Sequence, residues 1–175
     1  MLKKIKVENF RVFKKSNSEW DFPISNLTIF CGTNSVGKSS LIKIPLLLRQ
    51  SMGLQSEKEG RPIYVGPHVD FGNYESVITN GLNVDGYTIE LGINESLSKD
   101  LFDKYCPNVV SDESTGEVNC NINFKFNFCL QNKKQDSEQS DSNQKDILKS
   151  LEVEISWADG SKGNKISFDI QAETR

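Results

Sequence analysis

The chain has 175 residues, with 21 Lys and Arg against 24 Asp and Glu and a net charge of −3 at pH 7. This balance provides no overall attraction to nucleic acid or to acidic membranes. A hydrophobic fraction of 36% permits a core, but it also indicates that part of the chain is solvated. We therefore expect one ordinary domain or one lobe of a larger domain.

The sequence also bears on location. The first residues, MLKKIK, have no apolar stretch behind them and so do not predict a secretory signal. The longest apolar run, residues 44–48, is too short to span a bilayer. The 4 cysteines form no CxxC pair. These observations argue against a membrane partner, a zinc site or a disulfide framework, and predict a cytoplasmic protein.

Residues 1–15 open the chain with several basic side chains and with Glu8 as their only acid. Such a cluster fits a DNA-facing surface, and a solvated strand edge explains it equally well. Residues 27–31 (LTIFC) then predict a short buried strand that leads directly into Gly32.

A helix is predicted after this strand and a glycine-rich loop. Its apolar residues fall on all sides, which predicts burial all round, and Gly53 is placed to end it. Those apolar residues are Leu41, Ile42, Ile44, Leu46, Leu47 and Leu48. Pro45 lies inside the helix, where it removes a hydrogen bond at a cost of roughly 3 kcal/mol, so we expect a kink.

The loop between strand and helix fits the phosphate-binding pattern G-x-x-x-x-G-K-[ST] without a mismatch. Its residues are Gly32, Thr33, Asn34, Ser35, Val36, Gly37, Lys38 and Ser39. Glycines allow the backbone N–H groups to surround a phosphate chain, and the helix adds the positive end of its dipole. We expect Lys38 to meet the β and γ phosphates and Ser39 to bind Mg²⁺. The alternative is a glycine-rich turn with a capping serine.

The segments around this loop resemble RecF/SMC-like and OLD-like ABC-type ATPases, a group that includes ATPases of bacterial anti-phage and retron-associated systems. Residues 3–13 (KKIKVENFRVF) look like their basic opening strand, and residues 32–41 have their G-x-N-x-x-G-K-S-[ST]-L loop. Residues 46–51 and 69–74 resemble the leucine-rich helix and the D-[FL]-G-x-[YF] segment of the OLD-like members. The resemblance covers about the first half of the chain.

The resemblance implies further site residues. Ser40 would touch the α phosphate, and Arg11 would lie near the phosphates or else be a solvated charge at a strand end. Asp70 would lie beside Mg²⁺ or, as we favour, serve as a turn carboxylate before Gly72. His68 is interpreted as a loop residue, because the switch histidine of the family follows a later strand.

The resemblance also implies an activity and partners. Family heads bind ATP with Mg²⁺ between two copies, so we expect an ATPase that works as a homodimer or larger assembly. Nuclease or toxin partners, and association with DNA, are implied in the same way. A GTPase is not favoured, because no D-x-x-G follows the loop. A small kinase is not favoured either, because the arginines of a lid are missing.

From Tyr87 onward the apolar pattern changes to a period of two, which predicts an antiparallel sheet with one solvated face. The alternating runs cover 87–93, 122–130, 151–157 and 166–170. The phenylalanines at 124, 126 and 128 could stack on bases, but a core role is the stronger interpretation. Residues 131–146 contain no apolar side chain that could be buried, and they predict a flexible insertion between two strands.

Together with the resemblance, these features predict an α/β fold. The chain would be the N-terminal lobe of a P-loop NTPase that is similar to the head of an ABC-type ATPase, with an antiparallel β subdomain. The parts are a nucleotide-binding part at 1–81 and a β lobe at 82–175. No LSGGQ-like signature and no Walker B strand is found, and 109–113 (VVSDE) is only a poor match. We therefore expect an incomplete head with unknown catalytic residues. The alternative is a nucleotide-sensing module that does not hydrolyse ATP.

Overall fold

A computed structural model describes residues 1–15, 20–53, 62–79, 86–98, 117–131, 145–157 and 165–169. The two helices in these ranges are α1 and α2, and the six strands are β1 to β6. In chain order they are β1 (Leu2–Glu8), β2 (Asp21–Pro23), α1 (Lys38–Gly53), α2 (Tyr74–Val77), β3 (Gly86–Ser98), β4 (Glu117–Gln131), β5 (Lys145–Trp157) and β6 (Lys165–Asp169).

The strands form one sheet in the order β2-β1-β3-β4-β5-β6, and every neighbouring pair is antiparallel. Five strands have five residues or more, and β2 adds a three-residue edge. The four strands predicted from the period of two correspond to β3 to β6, so those predictions are confirmed. The molecule is an α/β fold built around an antiparallel sheet.

Alternating side chains explain why these strands form a sheet with two different faces. In β3, Tyr87 and Ile89 are buried, whereas Thr88 and Glu90 lie on the opposite face. Glu90 forms an ion pair with Lys4 of β1, with 2.6 Å between Lys4 Nζ and Glu90 Oε1. The second face is polar and partly solvated, as the sequence predicted.

The core lies between the apolar face of the sheet, α1 and the segment 62–79. Phe128 stacks on Tyr87, with ring centroids 4.8 Å apart, and the Phe10 ring meets Tyr87 edge-on at 5.5 Å. Phe126 and Phe128 are 7% and 6% exposed. The core interpretation of the phenylalanine stripe is therefore confirmed.

Gln50 of α1 fastens the segment 62–69 to this core. Its buried amide nitrogen donates to the carbonyls of Ile63 and Val69, and its Oε1 accepts the N–H groups of His68 and Val69. A buried amide must satisfy its donors and acceptors inside the protein, so this arrangement fixes the path of the segment.

Two expectations about burial are wrong. Residues 27–31 belong to no strand of the sheet, and Leu27 and Ile29 are 79% and 74% exposed. Helix α1 runs from Lys38 to Gly53, the predicted bounds, with Pro45 inside it. Only one side of the helix is buried, since Ile42 and Leu46 remain 55% and 37% exposed. The physical reason is the same in both cases: within the ranges given above, no strand or helix lies over these surfaces.

The predicted division into 1–81 and 82–175 falls in a part of the chain outside the described residues, and β1 pairs with β3 across it. Of the predicted insertion at 131–146, residues 132–144 lie outside the description, while Gln131 pairs with Lys145 at the ends of β4 and β5. Residues 109–113 also lie outside it. Neither helix in the described ranges has the length and apolar character needed to cross a bilayer.

Candidate phosphate-binding loop

The glycine-rich motif forms a loop that depends on left-handed backbone. The φ angles of Gly32, Ser35 and Gly37 are +149°, +64° and +100°. Glycine adopts such angles without the steric penalty that a Cβ brings, which explains two of the three positions. The loop leads directly into α1, whose first residue is Lys38. The sequence therefore places a tight, exposed loop at the N-terminus of a 16-residue helix.

The first turn of α1 leaves backbone N–H groups available as hydrogen-bond donors. This turn closes with the N–H of Leu41 donating to the carbonyl of Gly37 at 2.9 Å. The N–H groups that precede Leu41 in the helix therefore have no carbonyl one turn earlier to bind. Residues 32–36 and Ser39 are exposed, and Ser40 is half-buried. Exposed N–H groups at a helix N-terminus form a favourable position for an anion.

Lys38 lies across the loop. Its Nζ donates to the carbonyl oxygens of Gly32 and Thr33, at 2.8 Å and 2.6 Å. The side chain therefore turns back toward the start of the loop instead of extending away from it. An ammonium group held over the loop in this way can exchange the two carbonyls for phosphate oxygens.

A tight turn at residues 9–13 packs against the loop at Gly37. Phe10 and Phe13 exchange backbone hydrogen bonds, and Asn9 and Arg11 have φ angles of +58° and +53°. A Cβ atom at Gly37 would lie 2.6 Å from both Phe13 Cζ and Val12 Cγ2. The glycine is thus required twice, by its φ angle and by the side chains packed against it. Sequence reasoning missed Val12 and Phe13, although their apolar character next to Arg11 was a signal.

Arg11 lies in this turn beside a ring. Its guanidinium carbon is 5.5 Å from the centroid of the Phe71 ring, a cation–π distance, and its N–H donates to the carbonyl of Val77. The side chain is half-buried. The structure therefore gives Arg11 a contact with Phe71, and its place near phosphates stays a prediction.

Asp70 and His68 have structural surroundings in the segment 62–79. The exposed Asp70 carboxylate accepts the N–H of Gly72 at 2.8 Å, which is the turn carboxylate that the sequence favoured. His68 is exposed in a loop, and its backbone N–H binds Gln50. Neither residue is brought into a cluster of metal ligands, since the ranges that the structure covers contain no group of three or more His, Cys, Asp or Glu suited to hold a metal ion.

The loop therefore combines three features that suit a phosphate chain: left-handed positions, the N-terminus of α1 and the ammonium of Lys38. A Mg²⁺ ion bound mainly through substrate phosphates needs few protein ligands, and Ser39 is exposed beside the loop. Comparison with known proteins found no family model, no curated protein and no solved structure that matches this chain.

Proposed function

We propose that this chain binds Mg·ATP through residues 32–39 and forms the N-terminal lobe of an ABC-type ATPase head with a P-loop NTPase fold. The observation that carries the proposal is the G-x-x-x-x-G-K-S loop, with its three left-handed positions, at the start of α1. Sequence pattern and backbone geometry support it independently, because a capped turn would not need both glycines at positive φ in this spacing.

Different groups of the loop would bind different parts of Mg·ATP. Backbone N–H groups of residues 33–37 and of the first turn of α1 surround the phosphate chain. Lys38 moves from the carbonyls of Gly32 and Thr33 to the β and γ phosphates, and Ser39 offers its hydroxyl to Mg²⁺. Ser40 and Arg11 are assigned to the phosphates by the family resemblance alone.

Hydrolysis would require groups that this sequence does not provide in recognisable form. A carboxylate must hold the Mg²⁺ shell, and another must position the attacking water. No Walker B strand and no signature motif is found in the sequence. We therefore propose that turnover depends on a second ATPase head or on further chain. A role with nuclease or toxin partners or DNA, in anti-phage defence, rests on the resemblance.

The same missing motifs favour a second candidate function, a nucleotide-sensing module that binds ATP without turnover. The two candidates differ in a single measurement, the release of phosphate from bound Mg·ATP. Release that Lys38→Ala abolishes supports the ATPase, and binding without release supports the sensor.

Binding itself is tested by calorimetric titration of the chain with Mg·ATP and Mg·GTP. Lys38→Ala should weaken Mg·ATP binding at least about tenfold, because a charge-assisted contact to phosphate is lost. Lys43→Ala is the matched control, since it removes an exposed lysine from the same helix and should bind as the native chain does. Equal affinities of the two variants would contradict the proposed site.

The metal assignment has its own test. Ser39→Ala should reduce the gain in ATP affinity that Mg²⁺ brings, and should leave ATP binding in the presence of a chelator nearly unchanged. A nucleotide that binds equally well with and without Mg²⁺ in the native chain would contradict the role of Ser39.

A further inference from the structure

Left-handed backbone is concentrated at the phosphate-binding loop and at the turn of residues 9–13. Of the described residues other than glycine, those with a positive φ are Asn9, Arg11 and Ser35, at +58°, +53° and +64°. Ser35 belongs to the loop, and the other two belong to the turn that packs against it. Such angles are unfavourable for a residue with a Cβ atom and persist only where surrounding contacts hold them.

Asn9 makes contacts of this kind at three places. Its Nδ2 donates to the carbonyl of Gly86 at 3.4 Å, and its Oδ1 accepts the N–H of Lys15 at 3.0 Å. Its backbone carbonyl accepts the N–H of Thr79 at 3.2 Å. Asn9 therefore connects the turn to the first residue of β3, to the chain that leaves the turn and to the end of the segment 62–79.

The residue type suits this position. Asparagine is enriched in the left-handed region, because its short polar side chain can bond to nearby backbone groups. Alanine at position 9 would lose both the tolerated angle and the two side-chain hydrogen bonds, whereas glycine would lose only the hydrogen bonds. The two substitutions therefore separate the contribution of the angle from that of the side chain.

The opposite side of the same turn contacts the loop. Phe10 and Phe13 exchange the backbone hydrogen bonds that close the turn. Val12 Cγ2 and Phe13 Cζ each lie 2.6 Å from the position that a Cβ atom of Gly37 would occupy. The carbonyl of Gly37 accepts the N–H of Leu41, the bond that closes the first turn of α1. A displacement of the turn would therefore move the last glycine of the loop and the start of the helix.

The core leaves this turn little room to move in other directions. Phe10 is 0% exposed, and its ring packs edge-on against Phe71 and Tyr87, with centroid distances of 5.6 Å and 5.5 Å. Thr79, which binds the Asn9 carbonyl, is also buried. Close-packed interiors transmit a displacement to their neighbours. A change at Asn9 is therefore expected to reach Gly37.

We propose that Asn9 is a positioning residue for phosphate binding. It fixes the turn at residues 9–13 so that Val12 and Phe13 hold Gly37 in its left-handed conformation. Asn9 acts through these side chains and does not itself bind the nucleotide. The functional consequence rests on the proposed binding of Mg·ATP by residues 32–39, whereas the link between Asn9 and Gly37 can be measured without nucleotide.

This link is tested first in the free full chain, by NMR of the backbone amides. Asn9→Ala should shift the amide signal of Gly37 and quicken hydrogen exchange at Leu41 at least about fivefold, because the bond between them depends on the turn. Asn9→Gly should cause a smaller change of both, since glycine accepts the left-handed angle. Cys120→Ala is the control, because it truncates a buried side chain toward the other end of the β3–β4 ladder, and it should change neither.

Nucleotide binding tests the consequence. In calorimetric titration, Asn9→Ala should weaken Mg·ATP binding about tenfold and Asn9→Gly about threefold, at a temperature at which thermal melting shows both variants to be folded. Cys120→Ala should bind as the native chain does, although it melts at a lower temperature. If Asn9 only stabilised the fold, its variants would behave like Cys120→Ala, with a lower melting temperature and unchanged affinity.

Two results would overturn the proposal. One is an Asn9→Ala variant whose Gly37 signal and Leu41 exchange are those of the native chain, and the other is native affinity for Mg·ATP in that variant. If Asn9→Ala does not fold, the same comparisons are decided with Asn9→Gly. A native chain that binds no Mg·ATP would contradict the proposed function, and the amide measurements would then decide by themselves whether Asn9 positions Gly37.

Discussion

The two apolar parts of the molecule, the ladder β3–β4–β5 and the segment 27–31, behave in opposite ways. In the ladder, β3 and β4 pair without interruption from Gly86 opposite Cys129 to Ser98 opposite Glu117. In the segment, Leu27 and Ile29 face solvent and the backbone has no ladder among the residues described. Strands that alternate apolar and polar side chains need only one covered face, whereas a strand that is apolar on both faces needs neighbours on all sides.

Truncating one residue of each part gives the largest expected contrast. Phe128→Ala should lower the free energy of unfolding by about 3–5 kcal/mol, because it removes a ring that is 6% exposed and stacked on Tyr87. Leu27→Ala should change it by less than about 0.5 kcal/mol. Urea denaturation of both variants measures the difference. A large loss for Leu27→Ala would show that the segment is covered in the free chain.

The contact between α1 and the segment 62–69 gives the next effect. Gln50→Leu should lower the free energy of unfolding by about 2–3 kcal/mol, because backbone groups of Ile63, His68 and Val69 lose their partner in the core. Arg49→Leu, at an exposed position next to it, is the control. Hydrogen exchange should quicken at residues 62–69 only in the Gln50 variant. Unchanged exchange there would mean that other contacts hold the segment.

Gly37→Ala should lower the free energy of unfolding less than Phe128→Ala does, by about 1–3 kcal/mol, and should also abolish ATP binding. The new methyl group meets Phe13 and Val12 at 2.6 Å, and the residue has a φ of +100°. Thermal melting and ATP titration measure the two effects. Gly37→Ala combined with Val12→Ala should recover only part of the stability, because the backbone strain remains. Full recovery would show that the side-chain contact alone makes the glycine necessary.

Much of the fold could be predicted from local patterns. The alternation around Ile89 and Phe126 indicated strands, and these strands pair with near neighbours in the chain, so few alternatives compete. The glycine-rich motif indicated the loop and the start of α1, because its spacing specifies the backbone geometry. The carboxylate of Asp70 could be recognised as part of a turn, since an Asx turn needs only the next two residues.

Contacts between distant parts of the chain could not be predicted in the same way. The pairing of Gln50 with Ile63 and Val69, the position of Arg11 on Phe71, and the contact of Phe13 with Gly37 each join segments separated in sequence. An arginine after a strand and a glutamine on a helix carry no local signal of their partners. These contacts depend on which elements pack against one another in the folded chain.

The sequence by itself determined the alternating strands, the loop of residues 32–39 and the helix that follows it, because each depends on the period of side chains or on backbone angles that a few residues impose. Only the tertiary structure decided which apolar surfaces are covered. Leu41 and Ile42 are adjacent and equally apolar, yet one is 0% and the other 55% exposed. Burial depends on what packs against a side chain, and hydrophobicity alone does not specify that neighbour.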